Sequence, residues 1–151
     1  MTMSASDLLS RATVVGSVGD IGEELCWKAI ESSALGRLAV VQDEKIHIFP
    51  VNYAVNGTKI YFRTAPGSKL LAVKEPAQVA FEIDAVDDTA AYSIVVKGRA
   101  VHVDSPSEVA SAEELQLDAW IPTLKMRWVR IAPTEVTGRV FRRGTEPIPY
   151  V

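Results

Sequence analysis

A chain of 151 residues is long enough for one domain with a substantial hydrophobic core. With 48% hydrophobic residues, 23% charged residues and a net charge of -3, its composition gives no general electrostatic reason to expect nucleic acid or a membrane as a partner. The single cysteine, Cys26, excludes an internal disulfide, and no apolar run approaches the roughly 20 residues that cross a bilayer. The start of the chain lacks a basic region before an apolar segment, so we expect a cytoplasmic protein.

The N-terminal part of the chain predicts a flexible segment followed by a helix. Residues 1–18 are expected to be a flexible lead-in, and residues 19–151 a single domain, because no linker or repeat divides them. Between residues 19 and 34, apolar side chains recur at helical spacing, with acidic residues near the start. Gly36, just beyond, favours the end of a helix.

Three strands are predicted next, over residues 37–41, 45–55 and 58–64. Asn56-Gly57, between the second and third strands, is the strongest short hairpin signal in the chain. Pro50 is unusual inside the second strand, because proline cannot donate to a ladder. We expect it to mark a bulge, an edge, or a place where the backbone faces a ligand instead of a neighbouring strand.

The third strand leads into a loop with the chemistry of a phosphate site. Two cations, two hydroxyls and a glycine are gathered there: Arg63, Thr64, Gly67, Ser68 and Lys69. These donors suit an anion, and a short helix over 68–74 would direct backbone N–H groups at it. The alternative is an ordinary turn with solvated cations and a serine that caps the helix.

The rest of the chain predicts further strands and one helix. The strands cover residues 78–84, 93–103 and a last strand or pair over 128–131 and 135–142, and the helix covers 106–117. Gly98 marks a bulge or bend, and Ala132-Pro133 marks a break in the last strand. Six strands with mostly short connections predict a mainly β protein, a six-stranded antiparallel barrel with a few short helices, since closure removes exposed edges.

Two carboxylates are the only candidates for acid–base chemistry. Glu82 and Asp84 share one face of a predicted strand. We expect them to pair with cations of the next strand, Lys97 and Arg99, because no third group completes an acid–base set.

The histidines and the cysteine do not predict a metal site. His47 and His102 are each alone on a strand, whereas a metal needs several converging ligands. Cys26, next to Trp27 on a helix with an apolar face, is expected to be a buried structural thiol, because no base is evident near it.

Five segments carry a resemblance to a known family. They are G-R-L-A-V-V at 36–41, F-P-V-N-Y at 49–53, F-R-T-A-P-G-S-K at 62–69, V-A-F-E-I-D at 79–84 and V-V-K-G-R-A at 95–100. In these segments and their order, the chain resembles the pyridoxamine 5'-phosphate oxidase-like family of FMN-binding split barrels. The resemblance implies a six-stranded split β-barrel that forms a homodimer, with one FMN in each of two clefts at the interface.

The resemblance also implies which residues hold the cofactor. The FMN phosphate would be held by Thr64, Ser68 and Lys69, with Arg63 as a fourth group. The isoalloxazine ring would lie along the strand formed by Pro50, Val51, Asn52 and Tyr53. The expected set is completed by Phe62, at the start of the phosphate segment, and by Trp120. Trp120 is expected where a second subunit could meet the flavin, with core or interface packing as its alternative role.

The expected activity follows the family only in part. The C-terminal substrate motif of true pyridoxamine phosphate oxidases is absent, and its only loose substitutes are Trp120, Trp128, Arg130 and Arg139, so vitamin B6 oxidation is not predicted. We expect an FMN-dependent oxidoreductase of unknown substrate that transfers a hydride through the flavin, with an electron donor such as NAD(P)H. The alternative is a non-catalytic cofactor-binding, sequestering or sensor protein on the same barrel, with haem or a deazaflavin in the cleft.

Overall fold

Six antiparallel strands form a ring of paired neighbours, and a short N-terminal hairpin extends it. The computed structural model describes residues 2–65, 76–115, 117 and 127–144. The strands are β1 (Thr13–Val15), β2 (Val18–Ile21), β3 (Leu35–Gln42), β4 (Lys45–Asn56), β5 (Lys59–Thr64), β6 (Ala77–Val86), β7 (Ala90–His102) and β8 (Arg127–Arg142). The helices are α1 (Ala5–Arg11), α2 (Glu23–Ser32) and α3 (Pro106–Glu113).

The ring runs β8-β5-β4-β3-β6-β7 and is closed by the pairing of β7 with β8. Strands β3 to β8 are the six that the sequence predicts, so the mainly β antiparallel barrel is confirmed. The count of strands differs, because β1 and β2 form a hairpin that pairs with the end of β8. The described residues therefore contain eight strands instead of six.

The last strand, β8, is continuous, so the predicted break at Ala132-Pro133 is wrong. The register shifts where Lys97 and Gly98 of β7 pair with Glu135 and Pro133, so that Thr134 is an extra residue in β8. A Cβ on Gly98 would lie 2.5 Å from the carbonyl oxygen of Ala132, so the close approach of the two strands requires glycine here. The predicted irregularity at Gly98 is thus confirmed, but the extra residue of the bulge is Thr134 of β8, and the bulge accommodates Pro133 without ending the strand.

The N-terminal residues, which we expected to be flexible, form α1 and β1 in the structure. Ser4 and Asp7 cap α1 reciprocally, each side chain accepting a hydrogen bond from the other's backbone N–H. Leu8 is fully buried in the core. Ser6 donates to the Asp87 carboxylate through its backbone N–H (2.8 Å) and its hydroxyl (2.7 Å). This partner lies on the β6–β7 turn, far away in sequence, and no local pattern reveals it.

Two helices are shorter than predicted. The first begins at Glu23 instead of residue 19, because the residues before Gly22 pair with β8 as strand β2. The helix predicted over 106–117 ends at Glu113. The helix predicted over 68–74 lies outside the described residues.

The barrel interior holds one hydrophobic core. Alternate residues of each strand point inward and bury large side chains, as expected for strands with one buried face. The fully buried side chains with the largest volumes include Phe62, Phe81, Leu38, Ile60, Ile83 and Ile94. The core also includes Cys26 and Ile30 of α2, which packs against β8 and β4. No helix in the described part of the chain is long and apolar enough to cross a membrane.

Candidate functional site

The first half of β4 has an open edge. Among the described residues, the part of β4 from Lys45 to Val51 pairs in the sheet with β3 alone, because β5 pairs only with Tyr53 to Asn56. Strand β5 itself ends at Thr64, so it does not continue alongside the earlier residues of β4. An unpaired strand edge presents backbone N–H and C=O groups that a ligand can bind.

Pro50 sits on this open edge. The backbone N–H of Tyr53 donates to the carbonyl oxygen of Ala34, on the β3 side of the strand, at 3.0 Å. Because successive backbone groups of a strand alternate in direction, the nitrogen of Pro50 faces the opposite side, where no described strand pairs with it. The proline therefore removes no hydrogen bond from the β3–β4 ladder, and the edge explanation for Pro50 is the one that the structure supports.

The side chains of residues 50–53, which are expected to lie along the isoalloxazine ring, point to two opposite faces of β4. Val51 and Tyr53 are buried, at 8% and 3% exposure, and Pro50 is exposed on the outer face beside the half-buried Asn52. Tyr53 packs edge-to-face on Phe81 at 4.8 Å, and burial raises the pKa of its hydroxyl. Only Pro50 and Asn52 thus present side chains outward, whereas Val51 and Tyr53 direct their side chains into the core and their polar backbone groups towards β3.

At the end of β5, two residues that the sequence assigned to one phosphate-binding site lie on opposite faces of the strand. Arg63 and Thr64 are adjacent in an extended strand, so their side chains point to opposite faces. Thr64 is 5% exposed and follows Phe62, whose side chain is completely buried in the core. Three predicted site residues, Ser68, Lys69 and Trp120, lie outside the described residues.

Arg63 contacts the layer formed by α3 instead of facing Thr64. Its guanidinium donates a 2.6 Å hydrogen bond to the carbonyl oxygen of Leu117 and lies 5.2 Å from the centre of the Trp128 ring. The indole N–H of Trp128 in turn donates to Glu113 at 2.8 Å. The structure therefore does not bring Arg63 together with Thr64, because the strand directs it to the other face.

A second polar cluster holds the start of α3 on the same face. Arg130 donates to both carboxylate oxygens of Glu108, at 2.5 and 2.6 Å, and the Tyr61 hydroxyl donates to this carboxylate at 2.8 Å. The Arg130 hydrogen bonds lower the pKa of Glu108, whereas burial, followed by the bond to Glu108, raises the pKa of Tyr61 to about 12. Trp128 and Arg130 therefore secure α3, a role that their positions in the sequence did not reveal.

The carboxylate pair of β6 binds a cation, but a different one from the cations predicted. Arg37 of β3 lies 2.8 Å from Glu82 and 3.1 Å from Asp84. Lys97 instead pairs with Glu135 at 3.5 Å. The difference arises because β6 has β3 on its other side, where Arg37 stands directly opposite Glu82. Burial, followed by the Asp84 carboxylate, raises the pKa of Glu82.

The described part of the chain contains a buried cysteine and no cluster of metal-ligating side chains. Cys26 is buried, its thiol lies 3.5 Å from the carbonyl oxygen of Ile21, and burial raises its pKa to about 11. A thiol with this pKa stays protonated at neutral pH and is a poor nucleophile. No group of three or more metal-ligating side chains occurs among these residues.

An exposed apolar face flanks the open edge of β4. Val41, Ile46 and Ile48 are 57%, 74% and 67% exposed on neighbouring strands. The groove beside them, of about 560 Å³, runs across β3, β6 and β7 and is bordered by Lys97 and Arg99. Exposed apolar side chains gathered in one patch mark a surface that binds a partner or ligand.

Comparison with known proteins agrees with this architecture. The family model described as pyridoxamine 5'-phosphate oxidase matches residues 22–140. A Corynebacterium glutamicum protein assigned as a pyridoxamine 5'-phosphate oxidase is 41% identical, with a TM-score of 0.80 over 89% of this chain and 100% of its own. The FAD-binding protein of Mycobacterium smegmatis is 38% identical, with a TM-score of 0.76 over 83% of this chain and 99% of its own.

A relative in sequence is an uncharacterized protein of Mycobacterium tuberculosis. It is 43% identical over 93 residues, which cover 62% of this chain and 84% of the relative. The family match spans most of the chain, from the N-cap of α2 to the end region of β8. The resemblance found in the sequence is thus confirmed, and the chain belongs to the pyridoxamine 5'-phosphate oxidase family.

Proposed function

We propose that the protein binds FMN along the open edge of β4 and transfers a hydride through it, as a homodimer. The observation that carries the proposal is the open edge itself, which lies where β5 ends at Thr64. A planar ring with hydrogen-bonding edges can bind main-chain groups that have no strand partner. The residues fit such a ring, because the one proline on this edge costs the ladder no donor.

The backbone of β4 would orient the ring. The polar backbone groups of Ile48 and Pro50 are directed to the open side, by the same alternation that directs those of Tyr53 to β3. Pro50 and Asn52 would contact the ring with their side chains, whereas Val51 and Tyr53, whose side chains are buried and whose polar backbone groups face β3, would hold this strand in place behind the ring.

The phosphate would be held at the exit of β5. Thr64 is the last residue of that strand and directly precedes the segment that carries Ser68 and Lys69. Two hydroxyls and one ammonium supply donors suited to a phosphate, and the ammonium adds a charge-assisted contact. Arg63 is left out of this group, because its guanidinium binds Leu117 and Trp128.

The FAD-binding protein of Mycobacterium smegmatis supports a flavin as the ligand, since it is 38% identical to this chain over nearly all of its own length. FAD contains the same phosphate-bearing flavin unit as FMN, extended by an adenylate. The two nucleotides are therefore the competing ligands in the test below.

The homodimer would form through the apolar face of β3 and β4. Ile46 and Ile48 are both more than half exposed, which is costly for β-branched side chains in water. Their charged neighbour Arg37 is already paired within the chain, so its burial would leave no lone charge. A second copy placed here would also shield the ring edge from solvent.

The chemistry would come from the cofactor. A bound flavin supplies the hydride acceptor and donor. The residues of this chain would bind and orient it and exclude water, and positioning of a hydride donor such as NAD(P)H can suffice for the reaction. The buried Cys26, whose burial raises its pKa to about 11, would take no part.

Titration of the purified protein with FMN, FAD and riboflavin tests the proposal. We expect saturable binding of FMN that is tighter than binding of riboflavin, and anaerobic bleaching of the bound flavin by NADH or NADPH, with recovery in air. Binding without reduction would favour a non-catalytic carrier, and tighter binding of FAD would replace FMN as the ligand. A Soret band after addition of haem, with no uptake of any flavin, would overturn the proposal.

A further inference from the structure

Arg63 occupies a distinctive place, on the outer face of β5 one residue before its end. We propose that Arg63 is a positioning residue, which fixes Leu117, beyond α3, against the end of β5 and so supports flavin binding without contacting the phosphate. This inference rests on the proposed function for its flavin readout, but not for its structural basis.

The contacts of Arg63 join three parts of the fold. Its side chain comes from β5, the ring beneath it belongs to Trp128 of β8, and the carbonyl oxygen that it binds belongs to Leu117, beyond α3. Trp128 is itself held by Glu113, the last residue of α3. A planar guanidinium can stack on an indole and donate in its own plane at the same time, which an ammonium cannot.

Other contacts hold α3 itself, so the role of Arg63 is local. The start of the helix is anchored when Glu108 accepts hydrogen bonds from Arg130 and Tyr61. Ala112 is 1% exposed and packs in a small apolar cluster with Trp128. Loss of Arg63 would leave these contacts in place and would remove both the hydrogen bond to Leu117 and the stacking on Trp128 at the end of β5.

The placement of Leu117 matters because Arg63 and Thr64 are neighbours. The strand presents Arg63 to the α3 layer and Thr64 to the opposite face, where the proposed phosphate site begins. A shift of the backbone at Arg63 would therefore move Thr64 as well. Such a shift should weaken the binding of FMN and of riboflavin alike, whereas loss of a phosphate ligand should weaken the binding of FMN alone.

The variant Arg63→Lys distinguishes a positioning role of Arg63 from a role as phosphate ligand. Arg63→Lys keeps a positive charge, which is enough for a phosphate but cannot reproduce stacking together with the in-plane hydrogen bond. We expect it to weaken the binding of FMN and of riboflavin by the same factor, roughly three- to tenfold, the scale of a cation–π contact. Trp128→Phe should also lower the affinities for FMN and for riboflavin by equal factors. Arg142→Lys, exposed at the opposite end of β8, is the matched control and should change neither.

A measurement on the protein without flavin tests this inference independently of the proposed function. In the protein without flavin, Arg63→Lys should speed proteolytic cleavage between α3 and β8, with the urea midpoint close to that of the parent. A loss confined to FMN would show that Arg63 binds the phosphate, and unchanged affinities for both flavins would equally contradict the inference. If the parent binds no flavin, the proposed function fails, and an unchanged cleavage rate would still overturn the placement of Leu117 by Arg63.

Discussion

The hydroxyl of Tyr53 donates a 2.6 Å hydrogen bond to the carbonyl oxygen of Ile30, which ties β4 to α2 directly behind the open edge. The residue is 3% exposed, and burial raises the pKa of its hydroxyl, so the group remains a donor at neutral and moderately alkaline pH. The strand that would carry the flavin ring is therefore braced from inside the barrel, while its outer face stays available.

Removal of this brace should destabilise the protein. Tyr53→Phe should lower the free energy of unfolding by about 1 kcal/mol, because the Ile30 carbonyl keeps a second, longer hydrogen bond, from the Ser33 N–H at 3.3 Å. Urea denaturation measures the change. Tyr92→Phe is the matched control, since Tyr92 is as buried but makes no hydrogen bond through its hydroxyl to a described residue, and an equal loss in both variants would refute the brace.

The proposed phosphate site predicts a ligand-selective loss. Lys69→Ala should weaken FMN by about 1.5–3 kcal/mol, roughly ten- to a hundredfold, and leave riboflavin nearly unchanged, because only FMN carries the phosphate that Lys69 would bind. Fluorescence titration with both flavins measures the ratio. Lys28→Ala, an exposed lysine of α2, should change neither affinity. Equal weakening of the two flavins by Lys69→Ala would contradict the assignment.

The apolar face predicts an oligomeric change. Ile48→Lys should convert a dimer to a monomer, because it places a charge at a position that would be buried between two copies. Light scattering after gel filtration measures the mass. Val15→Lys, at a residue that is 83% exposed on β1, should leave the dimer intact. A parent protein that is monomeric at all concentrations would rule out the homodimer.

The N-terminal helix predicts a pH dependence. Hydrogen bonds from Ser6 and from the backbone of Thr89 hold the pKa of Asp87 well below its usual value of 3.8. A carboxylate with a depressed pKa stabilises the fold fully above its unfolded pKa and loses that contribution as the pH falls. Asp87→Asn should therefore lower the melting temperature at pH 7, and the difference from the parent should shrink as the pH drops below 3.8. A difference that grows in acid would have the wrong sign.

Local signals in the sequence predicted the strands well. The Asn56-Gly57 turn requires a backbone that few residues adopt, and Gly57 has a φ of +63°, so the β4–β5 hairpin could be located directly. Gly98 likewise marked a real bulge. The N-terminal helix was missed although Ser4 and Asp7 carry a local capping signal, and its anchor at Asp87 becomes a neighbour only after β6 and β7 have paired.

The candidate site was predictable in part. The sequence identified Pro50 as a residue of special meaning, but only the register of β4 with β3 and β5 shows that it stands on an open edge. The sequence also grouped Arg63 with Thr64, because the two are adjacent. It could not reveal that Trp128 and Leu117 would meet Arg63, since these partners are distant in the chain.

Local signals were enough to predict the six strands of the barrel, the β4–β5 hairpin and the family, but not the strands β1 and β2, because alternation, turn chemistry and short motifs are local properties. Only the paired strands of the described residues show which edge of β4 stays open, which cation Glu82 and Asp84 bind, and which face Arg63 occupies. The physical reason is that pairing brings together residues far apart in sequence, and the direction of each side chain along a strand then decides what it meets.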